Sequence, residues 1–199
     1  ASQIPSVAAA APVSSRSVTA VYADENWSTT ATGTTNDYFR VTNRTLTAGR
    51  IFLESEVRAG AAVCVIGETV RKNLFGAMDP LGSRIRLGKI SVEVVGVLAS
   101  KGQSGMGMDQ DDLVIIPLRT LERRMTGNQD IGMIMVSAQE GASTTAVQHA
   151  IEALLRERRN ITGSKEDNFA VMDMKEIADT LTSTTRILTA LLGAVAAVS

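Results

Sequence analysis

Residues 62–98 read AVCVIGETVRKNLFGAMDPLGSRIRLGKISVEVVGVL, and their patterning decides the fold class. Ala62–Ile66 is a short, continuous apolar run, the mark of a buried strand. Val70 and Leu74 then share one face, with Gly76 behind them, which predicts a two-turn helix over Gly67–Gly76 closed by a glycine C-cap. Asp79-Pro80-Leu81-Gly82 puts each residue type where a type I turn wants it. Ser83–Leu87 alternates, Gly88-Lys89 turns, and Ile90–Leu98 returns with Ile90, Val92, Val94 and Leu98 apolar, which predicts a hairpin. Strand, helix and hairpin within 37 residues (98 − 62 + 1) predict a mixed α+β fold.

Working outward, Ile4–Val13 reads as a short extended segment, and residues 16–35 as two strands joined near Asp24–Asn26. Asn36–Val41 is expected to be a short helix capped by Asn36, followed by an extended Leu46–Phe52 with a turn at Gly49-Arg50. Downstream, a glycine-rich loop spans Lys101–Asp112. Leu113–Ile116 is an apolar strand, and Thr120–Thr126 a short helix stopped by Gly127. Ile131–Ser137 is a strand, and Ser143 caps a helix with Val147, Ile151, Leu154 and Leu155 on one face. Phe169–Met172 is expected to be a strand. Asp173 with Glu176 has the form of a capping box for a last helix. From Ile187 to Ser199 no charge occurs. Too short alone to span a bilayer, this run predicts the start of a membrane helix that the end of the chain cuts short.

The composition narrows the chemistry. The 20 basic and 21 acidic side chains leave a net charge of −1, which argues against the basic face a nucleic-acid binder needs. The 4% aromatic content argues against base-stacking platforms as well. One cysteine and one histidine cannot build a structural zinc site. Cys64 sits in an apolar run and reads as a small buried hydrophobe, while His149, between Gln148 and Glu152, reads as a solvated surface imidazole. The basic run Arg156-Glu157-Arg158-Arg159 is expected to be a solvated last helical turn, matched to the negative end of the dipole. No catalytic residue, cofactor site or metal site is assigned.

An ordered set of short motifs carries a family resemblance: Gly49-Arg50-Ile51-Phe52, Val63-Cys64-Val65-Ile66-Gly67, Leu74-Phe75-Gly76, Asp79-Pro80-Leu81-Gly82 and Val94-Val95-Gly96-Val97-Leu98. Lys101-Gly102-Gln103-Ser104, Asp109-Gln110-Asp111-Asp112 and Ile116-Pro117-Leu118 continue it, and Thr184-Thr185-Arg186 leads into the apolar end. In this order they resemble the periplasmic core domain of MacB-type (FtsX-like) ABC transporter permeases. The resemblance implies a two-lobed domain: a porter-like β-α-β lobe from residues 1–53 and 130–183, a smaller inserted Sabre-like lobe from 54–129, and the start of a transmembrane helix at 184–199. It implies an inner-membrane parent with this domain in the periplasm, and no catalysis here. The ATP-binding domain or subunit lies elsewhere, in keeping with the lack of a GxxxxGK[ST] loop. Implied partners are a second permease copy, a periplasmic adaptor and an outer-membrane channel; implied substrates are macrolides, peptides, toxins or lipoproteins. The alternative is a stand-alone soluble α/β domain that binds or hydrolyses a small ligand.

The loop over residues 103–112 draws most attention. Gly102, Gly105 and Gly107 follow a strand, but no helix opens after them and Asp109, Asp111 and Asp112 would repel a phosphate. The same acids lack the wider calcium-loop pattern and its closing glutamate. A polar loop whose aspartates bond nearby backbone N–H groups explains them without a ligand. Met106 and Met108 are flexible apolar side chains of the kind used on adaptable binding surfaces. Gln103, Met106, Met108, Asp109, Gln110, Asp111 and Asp112 are therefore the expected contact with a partner subunit or adaptor.

Overall fold

A computed structural model describes residues 4–105, 107–163, 165–177 and 180. Met106 and the expected membrane-helix start at 184–199 lie outside them.

The elements run β1 (Val7–Tyr22), β2 (Glu25–Thr34), α1 (Asp37–Val41), β3 (Leu46–Gly49), α2 (Glu54–Ala59), β4 (Val63–Ile66) and α3 (Glu68–Phe75). Then come β5 (Arg84–Leu87), β6 (Ile90–Leu98), β7 (Leu113–Pro117) and α4 (Leu118–Leu121), which continues as a π-helical turn over Glu122–Thr126. β8 (Met133–Ala138) and α5 (Thr144–Arg158) follow.

The chain divides into two compact units, Ala9–Ser137 and Ala1–Ala8 with Ala138–Ser199. In the larger unit the strand order β2-β7-β4-β6-β5-β1 closes on itself, because β1 also pairs antiparallel with β2 from Ser14↔Gly33 to Tyr22↔Glu25. The β1–β5 seam is short, Ala20↔Leu87 and Val21↔Arg86. β3 adds to β6, and β8 lies beside β1.

All six ring strands send side chains into one buried cluster, so this cluster is the inside of the ring. Ala20, Ala31, Cys64, Ile85, Val94 and Ile116 meet there, one from each strand, and α3 adds Val70, Leu74 and Phe75. The opposite face carries Val63, Val65, Leu98 and Ile115, covered by Tyr38 and Phe39 of α1 and by Phe52. Strict alternation along β4 and β7 sorts neighbours between the two clusters. β6 switches phase partway: Cys64 faces Val94 but Val65 faces Gly96. The extra residue, Val95, lets Val92 and Val94 point inward while Leu98 points outward. Burying each such Val, Ile or Leu contributes roughly 1.5–3 kcal/mol before entropy.

In the smaller unit, Ser143 caps α5 by accepting from the Ala146 N–H at 3.3 Å. The basic last turn of α5 is held more firmly than a solvated turn would be. Arg156 pairs with Asp167, and Arg159 donates to the Asn168 side chain at 2.6 Å and lies 5.6 Å from the Phe169 ring centroid.

Three local expectations are corrected. Phe169–Met172 forms no strand; the Val171 carbonyl instead accepts from the Gln148 side chain at 3.4 Å. Asn36 does not cap α1 with its side chain, because its amide donates to the Phe52 carbonyl and to Glu54. α2 was not foreseen. β1 and β2 close the same ring as β4–β7.

Candidate functional site

The loop between β6 and β7 is folded back on itself. Gln103 and Asp109 pair as an isolated antiparallel bridge. Ser104 N–H donates to the Met108 carbonyl at 2.8 Å, Gly107 N–H to the Ser104 carbonyl at 2.8 Å, and Gln110 N–H to the Gly102 carbonyl at 3.1 Å. The Met108 N–H donates to the Ser104 hydroxyl at 3.2 Å. The tip is thus a small hydrogen-bonded hairpin, which lowers the entropy left to lose on binding a partner.

Its base is anchored by Asp111, which is 3% exposed. The carboxylate accepts from the Ser100 hydroxyl at 2.5 Å and from the Lys101 and Gly102 N–H groups, each at 2.8 Å. Arg44 Nη1 lies 3.9 Å from it. Burial pushes this carboxyl up, but the Ser100, Lys101 and Gly102 donors and the Arg44 charge outweigh burial and hold it below the usual carboxylate range.

The other two acids also turn toward the body of the unit. Asp109 accepts from the Thr69 hydroxyl at 2.6 Å and from the Asp111 N–H at 2.8 Å. Asp112 accepts from the Trp27 indole N–H at 3.0 Å. Arg44 donates to the Gln110 carbonyl at 2.6 Å, and Lys101 Nζ to the Thr42 carbonyl at 2.6 Å. These contacts tie the loop to β2, to α3 and to the segment after α1.

The seven expected contact residues therefore separate. Gln103 and Met108 are exposed, Met108 at 62%. Met106 lies outside the described residues. Asp109, Gln110 and Asp112 are occupied by internal hydrogen bonds. Asp111 is buried, and its carboxylate anchors the loop. The anchors Arg44, Trp27, Thr69, Ser100 and Lys101 were not singled out from the sequence. Arg44 and Trp27 reach the loop from 66 and 85 residues away, and no spacing pattern signals such contacts.

Cys64 is fully buried, and burial, with Glu93 adding to it, pushes its thiol well up. It is no nucleophile. Among the described residues no group of three or more His, Cys, Asp and Glu side chains could hold a metal, and no helix is long and apolar enough to cross a membrane.

A family profile described as "MacB-like periplasmic core domain" matches residues 1–154. The chain is 33% identical over 198 residues to a "Macrolide export ATP-binding/permease protein MacB" of Bdellovibrio bacteriovorus, covering 99% of this chain and 30% of that protein. It is 36% identical over 166 residues to the protein of the same name in Chlorobaculum tepidum, covering 83% of this chain and 25% of that one. The chain thus spans under a third of the length of these curated relatives. Among solved structures, the periplasmic region of MacB from Actinobacillus actinomycetemcomitans superposes with a TM-score of 0.76 at 24% identity, over 91% of this chain and 78% of that one. The extracellular domain of the transporter YknZ from Gram-positive bacteria gives 0.69 at 22% identity, over 85% and 83%. These two likenesses speak to the fold.

Proposed function

The chain belongs to the MacB-like periplasmic core domain family, and on that premise we propose that it is the periplasmic part of an inner-membrane ABC transporter permease. It has no catalysis of its own in this reading. It passes on motion driven by an ATP-binding domain or subunit elsewhere in the transporter, and it docks a second permease copy or a periplasmic adaptor that leads to an outer-membrane channel. Its cargo belongs with macrolides, peptides, toxins or lipoproteins; the names of the relatives favour the first.

The observation that carries the docking part is the construction of the 101–112 loop. Asp111 is buried at its base, Asp109 and Asp112 bond Thr69 and Trp27, and its tip holds Met108 out to solvent. A rigid base with an exposed, polarisable apolar side chain suits a contact surface. The two lobes enter this proposal as a porter-like lobe from 1–53 and 130–183 and an inserted Sabre-like lobe from 54–129.

The test is photocrosslinking in the full-length permease in its own cells, with the probe at Gln103 or Met108 and a control probe at Lys89 on the β5–β6 turn. Adducts to a second permease copy or to an adaptor from the loop, and not from the control, support docking there. Adducts only from the control remove the loop from the interface.

A further inference from the structure

A group of arginines lies away from the loop. Arg58 at the end of α2, and Arg119, Arg123 and Arg124 on α4 and its π-helical turn, are exposed. Two close contacts gather them. The Arg119 guanidinium donates to the Arg58 carbonyl at 2.5 Å, and the Thr120 hydroxyl to the Ala61 carbonyl at 2.8 Å. Gly60 between them sits at φ +66°, and a Cβ there would lie 3.1 Å from that of Arg119, so a glycine allows α2 and α4 to approach. Arg119 lies on α4, and Arg123 and Arg124 on the π-helical turn that continues it. Arg16, on β1, joins the far end by donating to the Met125 carbonyl at 2.8 Å.

Arg58, Arg119, Arg123 and Arg124 thus lie exposed on two elements that touch through the Arg119–Arg58 and Thr120–Ala61 contacts. Among the described residues none of the four has a carboxylate within ion-pair distance, whereas Arg50, Arg71 and Arg156 each have one. Glu122 is the one acid between Pro117 and Thr126. Like charges so placed repel, and an anionic partner relieves the repulsion. Guanidinium forks match carboxylates and phosphates alike. The surroundings favour carboxylates on a protein over a lipid surface. Basic faces that lie in a bilayer interface carry large apolar side chains beside the cations. Among the described residues, exposed large apolar side chains flank these segments at Ile51, Leu53 and Ile131, but none lies within 54–60 or 117–126.

We propose that the Arg58, Arg119, Arg123 and Arg124 ridge docks a carboxylate-rich segment of a partner protein, at a surface separate from the 101–112 loop. The contact is electrostatic and steers association.

The experiment places a photocrosslinking residue at Asn128, exposed beside the ridge, in the full-length protein in its own cells, and maps the adduct by mass spectrometry. The expected adduct is a protein peptide with at least three Asp or Glu in about seven residues. R119Q/R123Q/R124Q lowers its yield at least about fivefold, while R84Q/R86Q, which removes two exposed cations of β5, does not. An undiminished adduct in the triple variant, an equal loss in the β5 variant, a peptide poor in acids, a lipid adduct alone, or no adduct overturns the proposal. If the triple variant lacks the wild-type melting transition, R123Q alone, read for a threefold loss, decides. A parallel probe at Met108 reads the loop contact separately, so the two surfaces fail independently.

Discussion

Arg44 and Asp111 face each other across 3.9 Å with side chains only 7% and 4% exposed, in a part of the molecule where every other loop acid has an uncharged partner. The pair is not an ideal ion pair. Arg44 Nε and Nη1 have no hydrogen-bond partner, so Arg44 acts on Asp111 through its charge and on Gln110 through its one bond to the carbonyl. Removing one partner of such a buried pair costs about 3–5 kcal/mol, because the other charge stays buried. Asp111→Asn keeps the shape and one acceptor, so the low end applies, about 3 kcal/mol. In a domain of this size that lowers Tm by roughly 6–12 °C. Thermal unfolding of the variant within 2 °C of wild type would show that Asp111 is not an anchor.

The same carboxylate gives a pH signature. Its native proton affinity is below the ordinary value, so in acid the unfolded chain takes up the proton first. Stability from Asp111 is fully present above an unfolded carboxylate pKa of about 3.9 and is lost as pH falls through the lower native value. The gap in stability between wild type and Asp111→Asn is therefore expected to be full at pH 6–7 and to narrow below pH about 4. A gap independent of pH between 7 and 2.5 contradicts the assignment.

Gly67 is where the loop's last turn passes closest to α3. A Cβ there would lie 2.1 Å from the Asp111 carbonyl oxygen and 2.9 Å from its carbon. The obstacle is backbone, fixed by the Thr69 N–H to Asp111 carbonyl and Gly67 N–H to Leu113 carbonyl bonds, so it cannot rotate aside. Gly67→Ala is expected to push the 109–112 segment outward and to cost about 2–4 kcal/mol, in the range of severe overpacking. Amide hydrogen exchange reads this locally: Gln110, Asp111 and Leu113 lose protection before β4 does. Unchanged protection would mean that α3 moves instead.

Elements set by local pattern were legible in the sequence. β4, α3 and the β5–β6 hairpin match the reading of residues 62–98 within about two residues at each end. Ring closure was not legible, because Ala20↔Leu87 and Thr30↔Leu113 join distant segments and alternation does not name a strand's neighbour. α2 escaped because Glu54-Ser55-Glu56-Val57-Arg58-Ala59 buries no residue and so shows no apolar stripe. It is set by the Glu56 carboxylate, which accepts from the Leu53 N–H at 2.7 Å and pairs with Arg50 at 2.8 Å. Phe169–Met172 misled for the opposite reason: its apolar run forms an irregular segment, held by the Arg159–Phe169 contact and the Gln148 bond to the Val171 carbonyl. In the loop, the reading that its aspartates bond nearby backbone N–H groups holds for Asp109 and Asp111. That Arg44 and Trp27 come from other elements to hold it depends on the tertiary fold.

The exposure of Met108 can be read chemically. Met108 is 62% exposed, while Met135 is half-buried against the outer face of the ring and Met125 against its interior. Oxidation to the sulfoxide follows access to sulfur. Under dilute hydrogen peroxide, peptide mapping is expected to show Met108 sulfoxide forming several-fold faster than Met125 or Met135 sulfoxide. Ser104→Ala removes the hydroxyl that accepts from the Met108 N–H. It leaves this order unchanged, because the two remaining backbone bonds at the tip still hold the turn. The sulfoxide adds a polar oxygen to the side chain that the docking proposal places in contact. Peroxide-treated permease is therefore expected to give a lower loop crosslink from Gln103, and Met108→Leu, which cannot be oxidised, to keep it. Equal oxidation of Met108 and Met135 would mean that the tip is covered, and peroxide loss of the crosslink in Met108→Leu would place the sensitive methionine elsewhere.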